Sequence, residues 1–377
     1  MDTNSTYLPS KKHYEILDGL RGVTAILVVA FHVFETFSGD RFHQIINHGY
    51  LAVDFFFMLS GFVVAYAYDD RWAKMTQWDF YKRRLIRLQP MVIMGTIIGA
   101  ILYYFQACGA FPPISTTPVW KLLLVMIIGF TMLPLPMSMD IRGWREMHPL
   151  DGPAWSLFFE YIGNILYALI VRRFSKLLLS IFVFLSAAFL MQYLIMGPHG
   201  DVIGGWSLNK TQLHIGFARL LYPFFAGILL MRLGKLINVK WAFTICSVLL
   251  LIVFSIPRIG DPESLWMNGL YESICIILFF PLIVAMGAGS RITGSSAIKV
   301  CSFLGGISYP LYIIHYPFIY LHLAWVVRNK VSMANGLLGG LVVLIICVGL
   351  AYLCLKFYEG PVRKWLGGRY LKSVGLK

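Results

Sequence analysis

Charge is what this sequence has least of. Only 13% of its 377 residues are Asp, Glu, Lys or Arg, against 58% that are apolar, and mean hydropathy is +0.71. A soluble chain carries about 25% charged residues to cover its surface, so a soluble globular protein is excluded. Cysteine is scarce and scattered. Cys108, Cys246, Cys275, Cys301, Cys347 and Cys354 fall mostly within apolar runs and form no C-x-x-C pair. That excludes a disulfide framework or a metal site and leaves small core hydrophobes. The first 16 residues are polar, and the apolar run after them ends without a small-residue cleavage pattern, so no signal peptide is read there. A linker of altered composition and an internal repeat are both missing, and one domain over 1–377 is the simplest expectation.

What charge there is has one sign in excess. The formal net charge is +14, from 32 Lys and Arg against 18 Asp and Glu. The basic residues fall mostly between apolar runs, where they fix orientation in a bilayer, and nucleic acid is excluded as a partner.

Eleven runs approach the ~20 apolar residues that a spanning helix needs: 20–37, 50–68, 91–107, 119–136, 155–171, 177–196, 215–232, 239–257, 270–288, 303–325 and 335–355. The cluster Arg71, Lys74, Lys82, Arg83, Arg84 and Arg87 belongs in the cytoplasm, which puts the N-terminus with Lys11 and Lys12 there too. If 119–136 spans, Arg172, Arg173, Lys176 and the Arg232–Lys240 loop land outside. If it does not, they fall inside, with Arg291, Lys299 and the tail Arg363–Lys377. The second solution leaves Arg328 and Lys330 dissenting. The expectation is an all-α integral membrane protein of about ten spanning helices with both termini cytoplasmic. The proline-rich segment 108–154 then lies outside, and its apolar part near 119–136 is re-entrant or surface-lying.

Ionisable groups at membrane depth are costly unless paired, so each is a site candidate. Leu17–Gly22 reads L-D-G-L-R-G, and His32 follows Arg21 by eleven residues. Three helical turns put the two on one face, ~16 Å apart along the axis. Arg21 also reads as a snorkelling end anchor, and His32 as a hydrogen-bonded helix contact. A histidine titrates near neutral pH and serves as acid or base, which makes His32 the first choice for chemistry. On the second run, Asp54 lies near the outer end. Ser60 and Gly61 lie mid-span, as close packing or as a serine without the G-x-S-x-G elbow of a nucleophile.

Lys82, Arg83, Arg84 and Arg87 stand at a helix entrance, as positive-inside anchors or as a phosphate site. Ser156, Glu160 and Asn164 are spaced by four and form one polar stripe, with Glu160 about a turn and a half below the outer surface or in a structural ion pair. Ser308, Tyr312 and His315 share helical spacing, and His315 reaches a depth comparable with His32. Pro310 and Pro317 loosen that helix locally. Asp54, Ser60, Ser156 and Tyr312 are the substrate-binding candidates.

Taken in order, these blocks resemble the acyltransferase-3 family of bacterial membrane O-acyltransferases, the OafA-like group. The resemblance runs from Leu17 to Arg363 and leaves 364–377 as a basic cytoplasmic tail. It includes L-D-G-L-R-G with the Arg21–His32 spacing, D-F-F-F-x-L-S-G-F, R-R-x-x-R-x-x-P at Arg83–Pro90 and W-S-L-x-x-E. I-S-Y-P-L-Y-x-x-H and E-G-P-x-R at Glu359–Arg363 complete it. It implies transfer of an acyl group, usually acetyl, from cytoplasmic acyl-CoA to a hydroxyl of a cell-envelope glycan or other extracytoplasmic acceptor. The expected setting is the cytoplasmic membrane of a bacterium, with no metal. It makes Arg21 and His32 the essential pair and places Arg84 and Arg87 toward the donor.

A mechanism follows as an expectation. Coenzyme A docks its phosphates on Arg84 and Arg87, and its arm carries the thioester toward His32, the general base or transient acyl carrier. Glu160 orients an imidazole or binds the acceptor, and His315 joins the catalytic set. A transporter or flippase using the same residues as a relay is the rival reading. It calls for inverted repeats, of which the sequence has none.

Overall fold

In the computed structural model, residues 11, 13–38, 40 and 42–371 are described, so Lys12 and the tail beyond Leu371 lie outside them. Thirteen helices and no strands occur among the described residues. The first three are α1 (Glu15–Glu35), α2 (Ala52–Tyr68) and α3 (Gln77–Leu102). Then come α4 (Val119–Gly129), α5 (Ala154–Leu169), α6 (Lys176–Met196), α7 (Lys210–Leu233) and α8 (Ala242–Ser255). A π-turn at Cys275–Phe279 joins α9 (Leu265–Ile274) to α10 (Phe280–Gly289). Next is α11 (Ser295–Asn329), and a π-turn at Leu355–Glu359 joins α12 (Met333–Cys354) to α13 (Gly360–Tyr370).

Local chemistry marks the helix ends. Thr76 and Asp79 form a reciprocal capping box at the start of α3. Ser175 and Asn209 cap α6 and α7, and α7 ends at Gly234 in the left-handed conformation. Eight helical stretches are long and apolar enough to cross a membrane. The shorter α5 and α8 run between the same two faces. At the near face, where α1 begins, α5 ends with Ala168 O accepting from Gln77 Nε2 at 3.5 Å and Tyr167 donating to Asp69 at 2.8 Å. Helix α8 passes from Phe243, beside Gly19, to Phe254 O, which accepts from His48 N at the far face at 3.2 Å. Ten passes result, and they return α13 to the near face, where Arg87 meets Glu359 at 3.0 Å.

Glycines set the closest helix approaches. A Cβ at Gly61 would stand 1.8 Å from the Phe224 carbonyl oxygen, which locks α2 onto α7. One at Gly22 would stand 2.4 Å from Leu304 O, where α1 meets α11.

The run 119–136 does not span. Helix α4 has 11 residues, a rise of ~16 Å against a ~30 Å hydrocarbon layer. Both arms of its hairpin return to the same level: the Tyr103 hydroxyl donates to Ile141 O and lies 3.0 Å from Thr117 Oγ1. The tip lies deeper, where Gln89 Nε2 donates to Phe130 O at 2.5 Å. Gln89 and Tyr103 are about 20 Å apart along α3, so the segment is re-entrant. Its tip carbonyl is satisfied by protein, as a dry environment requires.

Candidate active site

Two cavities enter the bundle from opposite faces. The near cavity, about 390 Å³, is lined by Arg21, Arg84, Arg87 and Arg363 at its mouth and by Ser60, Ser156, Glu160, Ser308 and Tyr312 further in. Its cations are engaged. Arg84 pairs with Glu160, which also accepts from Ser60 Oγ at 2.6 Å. Arg87 and Arg363 both reach Glu359 at 3.0 Å. Arg21 pairs with Asp18 at 3.0 Å and donates to Ser308 Oγ at 2.8 Å and Gly305 O at 3.1 Å. A groove of about 600 Å³ on the near face shares Arg84, Arg87 and Arg363 with this cavity and adds Arg71, Arg83 and Lys364. Nε of Arg83 is buried without a hydrogen-bond partner among the described residues.

The far cavity, about 300 Å³, holds His32, Glu35, His315 and Tyr316 among Tyr50, Trp144, Trp155 and Trp206. The His32 and His315 rings stack with centroids 5.6 Å apart and planes 28° apart. Each uses Nδ1 for support. Nδ1 of His32 is 2.6 Å from Glu35 Oε2, and Nδ1 of His315 is 2.8 Å from Tyr312 O. Both acceptors require the proton on Nδ1, which leaves Nε2 with its lone pair. Nε2 of His315 is buried without a partner among the described residues. Val53 and Tyr312 line both cavities and form the wall between them. The Tyr312 hydroxyl is held 2.8 Å from Ser156 Oγ, and its ring packs 5.2 Å from Phe56.

A cationic pocket on one face and two imidazoles on the other suit group transfer, and comparison with known proteins bears on the class. A family model described as an acyltransferase domain matches residues 14–356. The chain belongs to this family. As an acyltransferase domain it is similar to a protein of the picA locus of Rhizobium radiobacter, 33% identical over 42% of this chain and 82% of that protein. It is also similar to the O-acetyltransferase OatA of Staphylococcus aureus, at 24% identity over 95% of this chain and 57% of that protein. The peptidoglycan O-acetyltransferase OatA of Listeria monocytogenes is 23% identical over 94% of this chain and 56% of that protein. The chain thus spans just over half the length of these two O-acetyltransferases. No solved structure matches it.

This acyltransferase domain divides the residues singled out in its sequence between two sites. Arg21, Ser60, Arg84, Arg87, Ser156 and Glu160 line the near cavity, His32 and His315 the far one, and Tyr312 belongs to both. Arg21 and His32, on one helix, therefore line different cavities. Glu160 meets Arg84 and Ser60 rather than an imidazole. Arg83 lies in the groove, whereas the Lys82 ammonium sits 5.7 Å from the Trp78 ring and lines neither cavity. Asp54 is buried in an ion pair with Arg219 at 2.7 Å and lines neither cavity.

Sequence reasoning missed Glu35, Glu146, Arg219 and Glu359. Glu35 stands at i+3 from His32, a spacing that identifies a helical pair. Arg219 is an arginine inside a spanning run, which the rule for ionisable groups at depth should have caught. Of the far tryptophans, Trp155 opens an apolar run and the W-S-L-x-x-E block, whereas Trp144 and Trp206 sit outside the apolar runs and carry no local signal.

Proposed function

We propose that this chain moves an acyl group, acetyl in the first instance, from acyl-CoA at the near face to a hydroxyl of an envelope glycan at the far face. The observation that carries this reading is the pair of cavities meeting at Val53 and Tyr312, with arginines on one side and imidazoles on the other. The near face is cytoplasmic in this reading, because the basic residues that flank most spans gather there. The protein then sits in the cytoplasmic membrane with both termini inside. Coenzyme A lays its phosphates along Arg71, Arg83, Arg363 and Lys364, and its arm follows the near cavity inward to Tyr312. Similarity to the O-acetyltransferase of Staphylococcus aureus supports acetyl, and similarity to the peptidoglycan O-acetyltransferase of Listeria monocytogenes supports a glycan acceptor.

In the transfer step, Nε2 of His32 takes the proton of the acceptor hydroxyl as that oxygen attacks the thioester carbon. The C–S bond breaks, the imidazolium returns its proton to the thiolate, and an ester and free CoA thiol are the products. Glu35 holds the imidazole by Nδ1 and stabilises its cation. The separation of the cavities requires the acyl carbon to pass Tyr312, so this ring must swing from Ser156 during turnover.

Proteoliposomes containing the protein in one orientation test the reading. Acetyl-CoA supplied on the near side is expected to acetylate glycan on the far side, and the reverse loading is expected to yield none. Equal yield from both loadings would overturn the sidedness, and no sugar ester from either would overturn the function.

A further inference from the structure

Residues 144–152 close the far cavity without forming a helix, yet they are held firmly. Arg142 is fully buried: Nε and one terminal nitrogen donate to Pro149 O at 3.0 and 2.9 Å, and the other donates to Gln106 Oε1 at 2.9 Å. Its guanidinium carbon lies 3.6 Å from the centroid of the Tyr320 ring. Met147 N donates to Trp206 O at 2.7 Å, and Leu135 N to Met147 O at 3.0 Å. Glu146 is therefore fixed by neighbours on both sides.

Its own carboxylate is half used. Tyr320 donates to Oε1 at 2.5 Å. Oε2 is buried and accepts no hydrogen bond among the described residues. Arg142 Nε stands 3.7 Å from it, but the single proton on that nitrogen is already committed to Pro149 O. A buried acceptor without a donor is costly, and Glu146 lines the far cavity beside Trp144 and Trp206. An aromatic wall next to a free carboxylate oxygen suits a sugar, which offers an apolar ring face and hydroxyl donors.

We propose that Glu146 positions the acceptor, with Oε2 accepting a hydrogen bond from a hydroxyl near the one that is acylated. The inference rests on the reading that a glycan enters the far cavity. It also names the acceptor's charge. Glu35 and Glu146 both line the space, and the arginine there, Arg219, is already committed to Asp54, Tyr50 O, Val202 O and Gly204 O. An anionic sugar would meet two carboxylates and no unengaged cation, so the site selects a neutral or amide-bearing sugar.

The test measures, at pH 8, acetyl transfer to a neutral N-acetylglucosamine oligomer and to its 6-carboxylate counterpart. Glu146→Ala is expected to raise the neutral acceptor's KM about ten- to hundredfold, the worth of a hydrogen bond to a charged group, while the acetyl-CoA KM moves less than ~twofold. Glu146→Gln turns its amide oxygen to the sugar with its N–H donating to the Tyr320 hydroxyl, and so keeps the acceptor while removing the charge. It is expected to restore the neutral acceptor's KM and to narrow the discrimination against the carboxylate. An unchanged acceptor KM in Glu146→Ala, or an equal rise in both KM values, would overturn the inference. If Glu146→Ala does not fold, Glu146→Gln decides alone, and an unchanged neutral-to-carboxylate ratio refutes it. A wild-type protein that acetylates no sugar removes the parent reading, whereas wild-type transfer with an indifferent Glu146 removes this inference alone.

Discussion

Nδ1 of His32 lies 2.6 Å from Oε2 of Glu35, one turn further along α1. The pair gives one of two stacked imidazoles a carboxylate, while the other, His315, leans on a backbone carbonyl. A carboxylate stabilises an imidazolium better than a carbonyl does, which favours His32 over His315 as the base of the proposed transfer. His32→Ala is expected to lower kcat by about 10²–10⁴, the usual worth of general-base catalysis. Glu35→Gln should cost about tenfold or more in kcat with little change in either KM, because it disturbs a group that acts in the transition state. A Glu35→Gln enzyme with wild-type kcat would remove the orienting role.

Asp54 separates a structural role from a binding role. Its carboxylate and the Arg219 guanidinium are both buried and lie 2.7 Å apart. Removing one partner of a buried pair strands the other and costs about 3–5 kcal/mol. Asp54→Ala is expected to lower yield and thermal stability sharply in detergent, with the acceptor KM unchanged in whatever protein folds. A folded, stable Asp54→Ala with a raised acceptor KM would return this residue to the substrate site.

The far segment carries a pH dependence of definite sign. Burial raises the Glu146 carboxyl from 4.5 to about 7 and lowers the His148 imidazole from 6.5 to about 3. Burial and the charge of Glu146 raise Asp151 as well. Glu146 faces Arg142, Asp140 and Asp151 from its own segment, Tyr320, Tyr316 and His315 from α11, and His32 and Glu35 from α1. A raised carboxyl favours the folded state while protonated. That contribution is full below pH about 4.5 and is lost as pH rises through about 7. Glutamine stays neutral throughout, so Glu146→Gln is expected to match the wild-type melting temperature near pH 4.5 and exceed it near pH 8. A constant difference across that range would contradict the assignment.

Most of the fold was legible because a bilayer imposes simple rules. Apolar run length found the candidate spans, the placement of lysine and arginine set 119–136 apart from the others, and the 11-residue α4 agrees. The residues at depth were legible one at a time. What the sequence did not reveal was their grouping. Helical spacing put Arg21 and His32 on one face, but Val53 on α2 and Tyr312 on α11 decide that they open to different cavities. Glu160 pairs with an arginine 76 positions away, a relationship that no local period encodes. The far wall, built from Trp144, Glu146 and Trp206, depends on two loops meeting through Met147 N and Trp206 O. Loops of that kind carry function without periodic signal.

The wall shared by Val53 and Tyr312 has a consequence for the cell's electrical life. Two hollows approach from opposite faces and share a valine and one aromatic ring in their linings. A continuous opening would let protons and ions run down their gradients, whereas a closed wall crossed only by the proposed acyl transfer keeps them apart. In the proposed transfer only the acyl group changes compartments; the carrier that brought it and the ions around it stay behind.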